Sequence, residues 1–185
     1  NNFPEILFLS NHGVVIGANN LNEVLYKINL VSDRLKVQTN NKSKGDLFKL
    51  KNICKNTSYK PSRFNRAHNI AFDTRSIEIA ISGSMYPDHV VFLGTKTLTA
   101  ESNEEILKIS KANYLMKLPL IIVPNCGIII PRDTSHEAEE MVLALSLIIG
   151  KIPKDRVINY LTDKEEAELV NWKEEHYRMR LNNVQ

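Results

Sequence analysis

Two stretches decide the fold: ILFLSNHGVVIG at residues 6–17 and LIIVPNCGIII at residues 120–130. They align without a gap when Asn11 is placed on Asn125, an offset of 125 − 11 = 114 residues. Each stretch has apolar runs on both sides of a polar triplet, which predicts a buried strand interrupted in its middle. The repeat therefore indicates strand–helix units of two related lobes, the first incomplete; the alternative is a chance match between two ordinary strand–helix units.

Apolar residues at helical spacing follow both stretches. The same offset carries Gly13 onto Gly127 and Glu23 onto Glu137, in the first turn of each predicted helix. Thr162 and Glu165 have the spacing of a capping box, which predicts where the last helix begins. The sequence thus predicts helices at residues 21–35, 103–116, 135–149 and 163–180, and a short one near 47–53.

Further strands are predicted from short apolar runs bounded by turn residues. These runs cover residues 70–72, 77–81 and 90–93. Alternating strands and helices predict an α/β fold with a sheet covered on both faces. We divide the chain into a strand–helix unit at 1–38, a Lys- and Asn-rich solvated connector at 39–60, and a second lobe at 61–185.

Composition excludes several classes of protein. The 185 residues are 43% hydrophobic and 24% charged, so a disordered tail or a fibre is excluded. The net charge of +3 is too small to argue for nucleic-acid binding, and no apolar run reaches the length of a membrane span. Cys54 and Cys126 suit a reducing cytoplasm. Because the chain starts at Asn1 without Met, we expect a piece of a longer protein.

His12 is the first candidate functional residue. It lies in Asn11-His12-Gly13, where the glycine removes bulk and the asparagine can position the backbone, as a metal ligand would need. A buried, hydrogen-bonded histidine explains the same residues. One histidine is also not a site, since catalytic zinc takes about three protein ligands.

The segment at residues 8–17, with the helix that follows, resembles the class II aldolase/adducin family of zinc-dependent sugar-phosphate aldolases. In that family an Asn-His-Gly motif supplies the third zinc ligand, a position that His12 matches. Asn11 and Gly13 would support it, with Glu23 in the next turn. The resemblance implies an α/β/α sandwich. It covers residues 5–38 and, through Tyr160 to Arg178, the tail at 155–181.

The departures from the family pattern are as informative as the matching residues. The resemblance places an H-x-H ligand pair and a carboxylate base upstream of the motif, and this chain has only ten residues before Asn11. In the second lobe, Phe92, Gly94 and Cys126 would stand where the three histidines belong. The resemblance therefore implies a C-terminal portion that ends with a degenerate second lobe.

The resemblance implies carbon–carbon bond cleavage of a sugar phosphate with Zn²⁺ by a homo-oligomer. The small net charge and the lack of a long apolar run predict no nucleic-acid or membrane partner, and the cysteines predict a cytoplasmic protein. The alternative is a non-catalytic, adducin-like interaction or oligomerisation module, or a pseudoenzyme. The sequence does not decide whether the protein is an enzyme, since the upstream ligands and base are missing from it.

Other candidates have simpler structural explanations. His89 and Cys126 could meet as a nucleophile or soft metal pair, but a structural histidine and a buried cysteine account for both. His68 and His136 are expected at the surface or at helix caps. Ser82-Gly83-Ser84-Met85 is expected to be a turn rather than a phosphate cradle. The glutamates at the start of the predicted helix 135–149 are expected to complement its dipole; they are Glu137, Glu139 and Glu140.

Overall fold

The computed structural model describes residues 4–37, 44–112, 118–153 and 155–171. Contacts divide the chain into two units, Asn1–Thr39 and Asn40–Gln185. The predicted helix ends at 113–116 and 172–180 lie outside the described ranges, as do residues 172–181 of the tail that resembles the aldolase family.

The first unit is a β-hairpin followed by a helix. Strand β1 (Ile6–Leu9) pairs antiparallel with β2 (Gly13–Ile16), and α1 (Leu21–Arg34) follows. The triplet Asn11-His12-Gly13 therefore forms a hairpin tip, and the prediction of one interrupted strand is wrong. The chain reverses because Asn11 and Gly13 have positive φ angles of 57° and 112°.

No residue of the range 4–37 is buried. The hairpin and α1 are held by polar contacts: Lys27 Nζ lies 2.8 Å from the Glu5 carboxylate and donates to the Gly17 carbonyl at 3.1 Å. The large apolar side chains of this unit are therefore left in contact with solvent.

The second unit contains the buried core. It consists of α2 (Leu47–Ile53), β3 (Tyr59–Pro61), a 3₁₀ helix (Asn65–Phe72), α3 (Thr74–Ile81), α4 (Pro87–Leu93), β4 (Thr97–Thr99), α5 (Asn103–Lys111), β5 (Leu120–Val123), β6 (Gly127–Pro131), α6 (His136–Ile149) and α7 (Asp163–Asn171). The sheet order is β3-β6-β5-β4; only β4 and β5 are parallel.

Helices pack on both faces of this sheet. Side chains alternate along a strand. Ile122 and Ile128 therefore lie on the face of the sheet that is covered by the 3₁₀ helix, α3, α4 and α6. Ile121 and Ile129 lie on the other face with residues of α2 and α5. The predicted mixed α/β class is confirmed, and helices cover both faces of the four-stranded sheet.

Three predicted strands are helical. Residues 70–72 end the 3₁₀ helix, 77–81 belong to α3, and 90–93 belong to α4. The start of α3 is set by the Asp73 side chain, which accepts from the Ser76 N–H at 2.8 Å, and Pro87 begins α4. These start signals outweigh the strand-like alternation of the short apolar runs.

The segment interpreted as a solvated connector also contributes to the core. Leu50 of α2, Cys54 and Tyr59 are buried, although the lysines around Leu50 are exposed. The predicted capping box is confirmed: the Thr162 N–H donates to Glu165 Oε2 at 2.8 Å. None of the helices in the described residues is long and apolar enough to cross a bilayer.

His68 fixes the β5–β6 hairpin to the 3₁₀ helix. Its Nδ1 accepts from the Ile128 N–H at 3.0 Å, and its Nε2 pairs with the Ser62 carbonyl at 3.1 Å. The ring lies against Gly127, where an added Cβ would be 2.6 Å from Nδ1. His68 is fully buried, so its predicted surface or capping position is wrong.

We expect Gly127→Ala to destabilise the protein more than Gly13→Ala. Both glycines have positive φ, which costs a side-chain-bearing residue about 1–3 kcal/mol. At Gly127 the collision with His68 adds roughly 1–3 kcal/mol of overpacking, whereas no atom lies within 4 Å of a Cβ at Gly13. Urea unfolding measures the difference, and equal losses of unfolding free energy would contradict this assignment.

Candidate functional site

His12 lies at the tip of the β1–β2 hairpin, with its side chain exposed. Its N–H donates to the Leu9 carbonyl at 3.2 Å, which closes the tip. The backbone therefore fixes the position of this residue, while the imidazole is left accessible to solvent. The explanation of His12 as a buried histidine does not hold, and its role as a metal ligand remains a prediction.

Asn11 and Gly13 shape the tip around His12. Both have positive φ, and the Ser10 hydroxyl donates to Asn11 Oδ1 at 2.8 Å. Asparagine and glycine are the residues that adopt such angles most readily. Both residues shape the backbone of the tip, and their role as supports of a metal ligand stays a prediction.

Glu23 serves the start of α1. Its N–H donates to Asn20 Oδ1 at 3.0 Å, and its carboxylate accepts from the Asn19 N–H at 3.1 Å. These reciprocal bonds form a capping box. All the described hydrogen bonds of Glu23 lie at this helix end, and none joins it to His12.

The described residues do not form a complete metal site. Over the ranges 4–37, 44–112, 118–153 and 155–171, no group of three or more His, Cys, Asp or Glu could hold a metal ion. His12 has the chemistry of one zinc ligand, and a catalytic site needs about two more. Any metal bound at this tip therefore needs ligands from other residues.

The second hairpin repeats the tip with a different environment. Asn125 and Gly127 have positive φ angles of 54° and 149°, and Val123 pairs with Gly127 as Leu9 pairs with Gly13. Here the middle residue, Cys126, is fully buried, and burial raises the pKa of its thiol. The same backbone shape thus holds a core residue in the second unit.

The structure does not bring His89 and Cys126 together. Cys126 packs with Leu50 and Cys54 on one face of the sheet, whereas His89 lies on α4, whose Leu93 packs on the other face. His89 Nδ1 accepts weakly from the Met85 N–H at 3.5 Å, and burial lowers the pKa of His89 to about 4. The contacts of both residues are therefore those of core packing.

A buried polar network joins residues that lie far apart in the sequence. The Ser62 hydroxyl donates to Glu139 Oε1 at 3.1 Å, and the Arg63 N–H donates to the same oxygen at 2.6 Å. Glu139 therefore does more than complement the dipole of α6. His68 contacts the carbonyl of Ser62 and not its hydroxyl, so the geometry does not activate a serine nucleophile.

The remaining candidates behave as structural residues. His136 is exposed at the start of α6, as predicted. The Ser82 hydroxyl donates to the Glu78 carbonyl at 2.6 Å, at the end of α3. Ser84 is fully buried, and its hydroxyl has no hydrogen-bond partner among the described residues. This segment forms the turn between α3 and α4.

Comparison with known proteins gives no match: no family model, curated protein or solved structure is significantly similar to this chain. The resemblance to the class II aldolase/adducin family therefore stays a prediction from the sequence motif.

We expect His89 to make stability depend on pH. Burial lowers its pKa from 6.5 to about 4, so between these values the unfolded chain binds a proton that the folded protein does not. The contribution of neutral His89 to the free energy of unfolding is therefore complete above pH 6.5. It decreases by about 3 kcal/mol as the pH falls towards 4.

Chemical unfolding at a series of pH values tests this expectation. His89→Leu should weaken, without abolishing, the dependence of unfolding free energy on pH between 6.5 and 4, because burial also lowers the pKa of His68. His136→Gln, at an exposed position, should leave it unchanged. A slope that His89→Leu does not alter would show that other groups cause the acid sensitivity.

Proposed function

We propose that this chain is the C-terminal portion of a class II aldolase-like protein that cleaves a carbon–carbon bond of a sugar phosphate. The observation that carries the proposal is the hairpin tip Asn11-His12-Gly13. It presents one exposed imidazole on a backbone that reverses at two residues with positive φ. A helix with Glu23 in its first turn follows, which is the arrangement that the family motif implies.

The chemistry of the tip fits one zinc ligand. A neutral imidazole is among the commonest zinc ligands, and an exposed ring can reach a metal without displacing core residues. In the whole protein, His12 would hold Zn²⁺ together with an H-x-H pair from outside this sequence. Zinc bound there would supply Lewis-acid polarisation of substrate oxygens.

The other residues of the motif would act through His12. Asn11 and Gly13 hold the tip in its reversed shape, so they would fix the direction from which the imidazole approaches the metal. Glu23 would act one step further away, because its capping bonds define where α1 begins. An α/β/α sandwich of the family type and a homo-oligomeric, cytoplasmic protein complete the proposal.

A non-catalytic interaction module is the second candidate. It is favoured by the absence of a three-ligand group among the residues that the structure describes, and by the buried Cys126 at the second tip. An adducin-like module or a pseudoenzyme would keep the fold without the chemistry. The two candidates differ in metal content.

We expect the protein from its natural source to contain about one zinc per subunit, and His12→Ala to remove it. Loss of a ligand should lower metal affinity and aldol cleavage by at least about 100-fold, without loss of fold, since His12 is exposed. Elemental analysis and a cleavage assay measure both effects.

His136→Ala is the matched control, because it removes another exposed histidine outside the motif. It should retain zinc and activity. If His12→Ala retains both as well, the aldolase proposal is wrong. A wild-type protein without metal would favour the interaction module.

A further inference from the structure

The outer edge of β2 is an unpaired strand edge. The Gly17 N–H donates to the Glu5 carbonyl at 2.8 Å, and hydrogen-bonded pairs alternate along an antiparallel ladder. The N–H and C=O groups of Val14 and Ile16 therefore point away from β1. Among the described residues, these groups have no hydrogen-bond partner.

The repeat shows what occupies the corresponding edge in the second unit. Ile128 and Ile130 lie 114 residues after Val14 and Ile16, by the alignment of Asn125 with Asn11. The Ser62 N–H donates to the Ile128 carbonyl at 3.1 Å, and Lys60 pairs with Ile130. An antiparallel strand, β3, thus completes this edge.

The edge of β2 carries none of the features that prevent strands from pairing. Its sequence, Gly-Val-Val-Ile, contains no charge and no proline, whereas exposed edges are usually protected by one or the other. A two-stranded hairpin alone is marginally stable in water, and additional strands stabilise it. The edge is therefore suited to accept another strand.

Apolar side chains beside this edge are exposed on both faces of the hairpin. Val15 is 50% exposed on one face, and Val14 is 44% exposed on the other, since side chains alternate along a strand. Each copy of the chain presents the same uncharged edge, so this surface is complementary to itself, as a two-fold interface requires.

We propose that β2 pairs with β2 of a second copy of this chain, around a two-fold axis at Val15. A two-fold axis perpendicular to a strand makes it antiparallel to its own copy, which is the direction that β3 has relative to β6. Val14 of each copy pairs with Ile16 of the other through their outward groups. Two hairpins then form one four-stranded sheet.

This interface identifies the surface behind the proposed homo-oligomer but does not depend on aldolase chemistry. It uses the edge of β2 and leaves the imidazole of His12 and the edge of β1 available. Failure of the interface would change the mass of the protein and not its zinc content, so the two proposals can fail separately.

Light scattering of the 185-residue chain tests the association directly. We expect a mass about twice 21.1 kDa that falls on dilution. Val15→Lys should give the monomer mass at all concentrations, because it places two charges together at the axis. Leu7→Lys, on the same face but on β1, should remain dimeric. A monomeric wild-type chain at high concentration overturns the proposal.

Crosslinking gives a second readout. Val15 and its copy form a non-hydrogen-bonded pair, whose Cα atoms lie about 4.5 Å apart, within disulfide range. With diamide as oxidant, Val15→Cys should form a covalent dimer that dithiothreitol reverses, and Leu7→Cys should not. The wild-type cysteines are buried and should not crosslink. Equal crosslinking by both variants, or by neither, overturns the proposed register.

Discussion

The second unit depends on one uncharged imidazole in its core. His68 accepts from the Ile128 N–H at Nδ1, so its proton lies on Nε2, which donates to the Ser62 carbonyl. Burial lowers the pKa of His68, which keeps the ring neutral. Its bonds join the 3₁₀ helix, β6 and the residue that follows β3. Protonation would remove the acceptor that Ile128 needs.

The space around this ring is set by two glycines. A Cβ at Gly45 would lie 2.6 Å from His68 Cδ2, and one at Gly127 would collide from the hairpin side. Ser62 extends the contact to Glu139, so the start of α6 is joined to the same network. Such buried polar networks stabilise a fold only when every member has its partner. Glycine is needed at both positions because a side chain there would overlap the His68 ring.

Sequence patterns predict the long helices and the repeat. They do not predict that the chain reverses at the two polar triplets. The helices α1, α5 and α6 begin at or within one residue of the predicted starts. Residues 77–81 were misassigned because Ile-Glu-Ile-Ala-Ile alternates like a strand, whereas the cap at Asp73 starts a helix. Short apolar runs fit either state, and local capping decides between them.

The candidate site was predictable only in part. The residues Asn11, His12 and Gly13 are adjacent in sequence, so one motif locates them. The network of Ser62, His68 and Glu139 joins distant residues, and no spacing rule predicts such contacts. Similarly, the exposure of His12 and the burial of Cys126 cannot be read from two nearly identical triplets, because the surrounding elements determine them.

The two thiols provide an intrinsic measure of motion in the second unit. Cys54, just after α2, and Cys126 pack together beneath that helix, and burial raises the pKa of Cys54 to about 11. In the native packing neither thiol is accessible to a reagent. Their alkylation rate in the native protein therefore reports how often α2 separates from the sheet, a local opening that can occur without global unfolding.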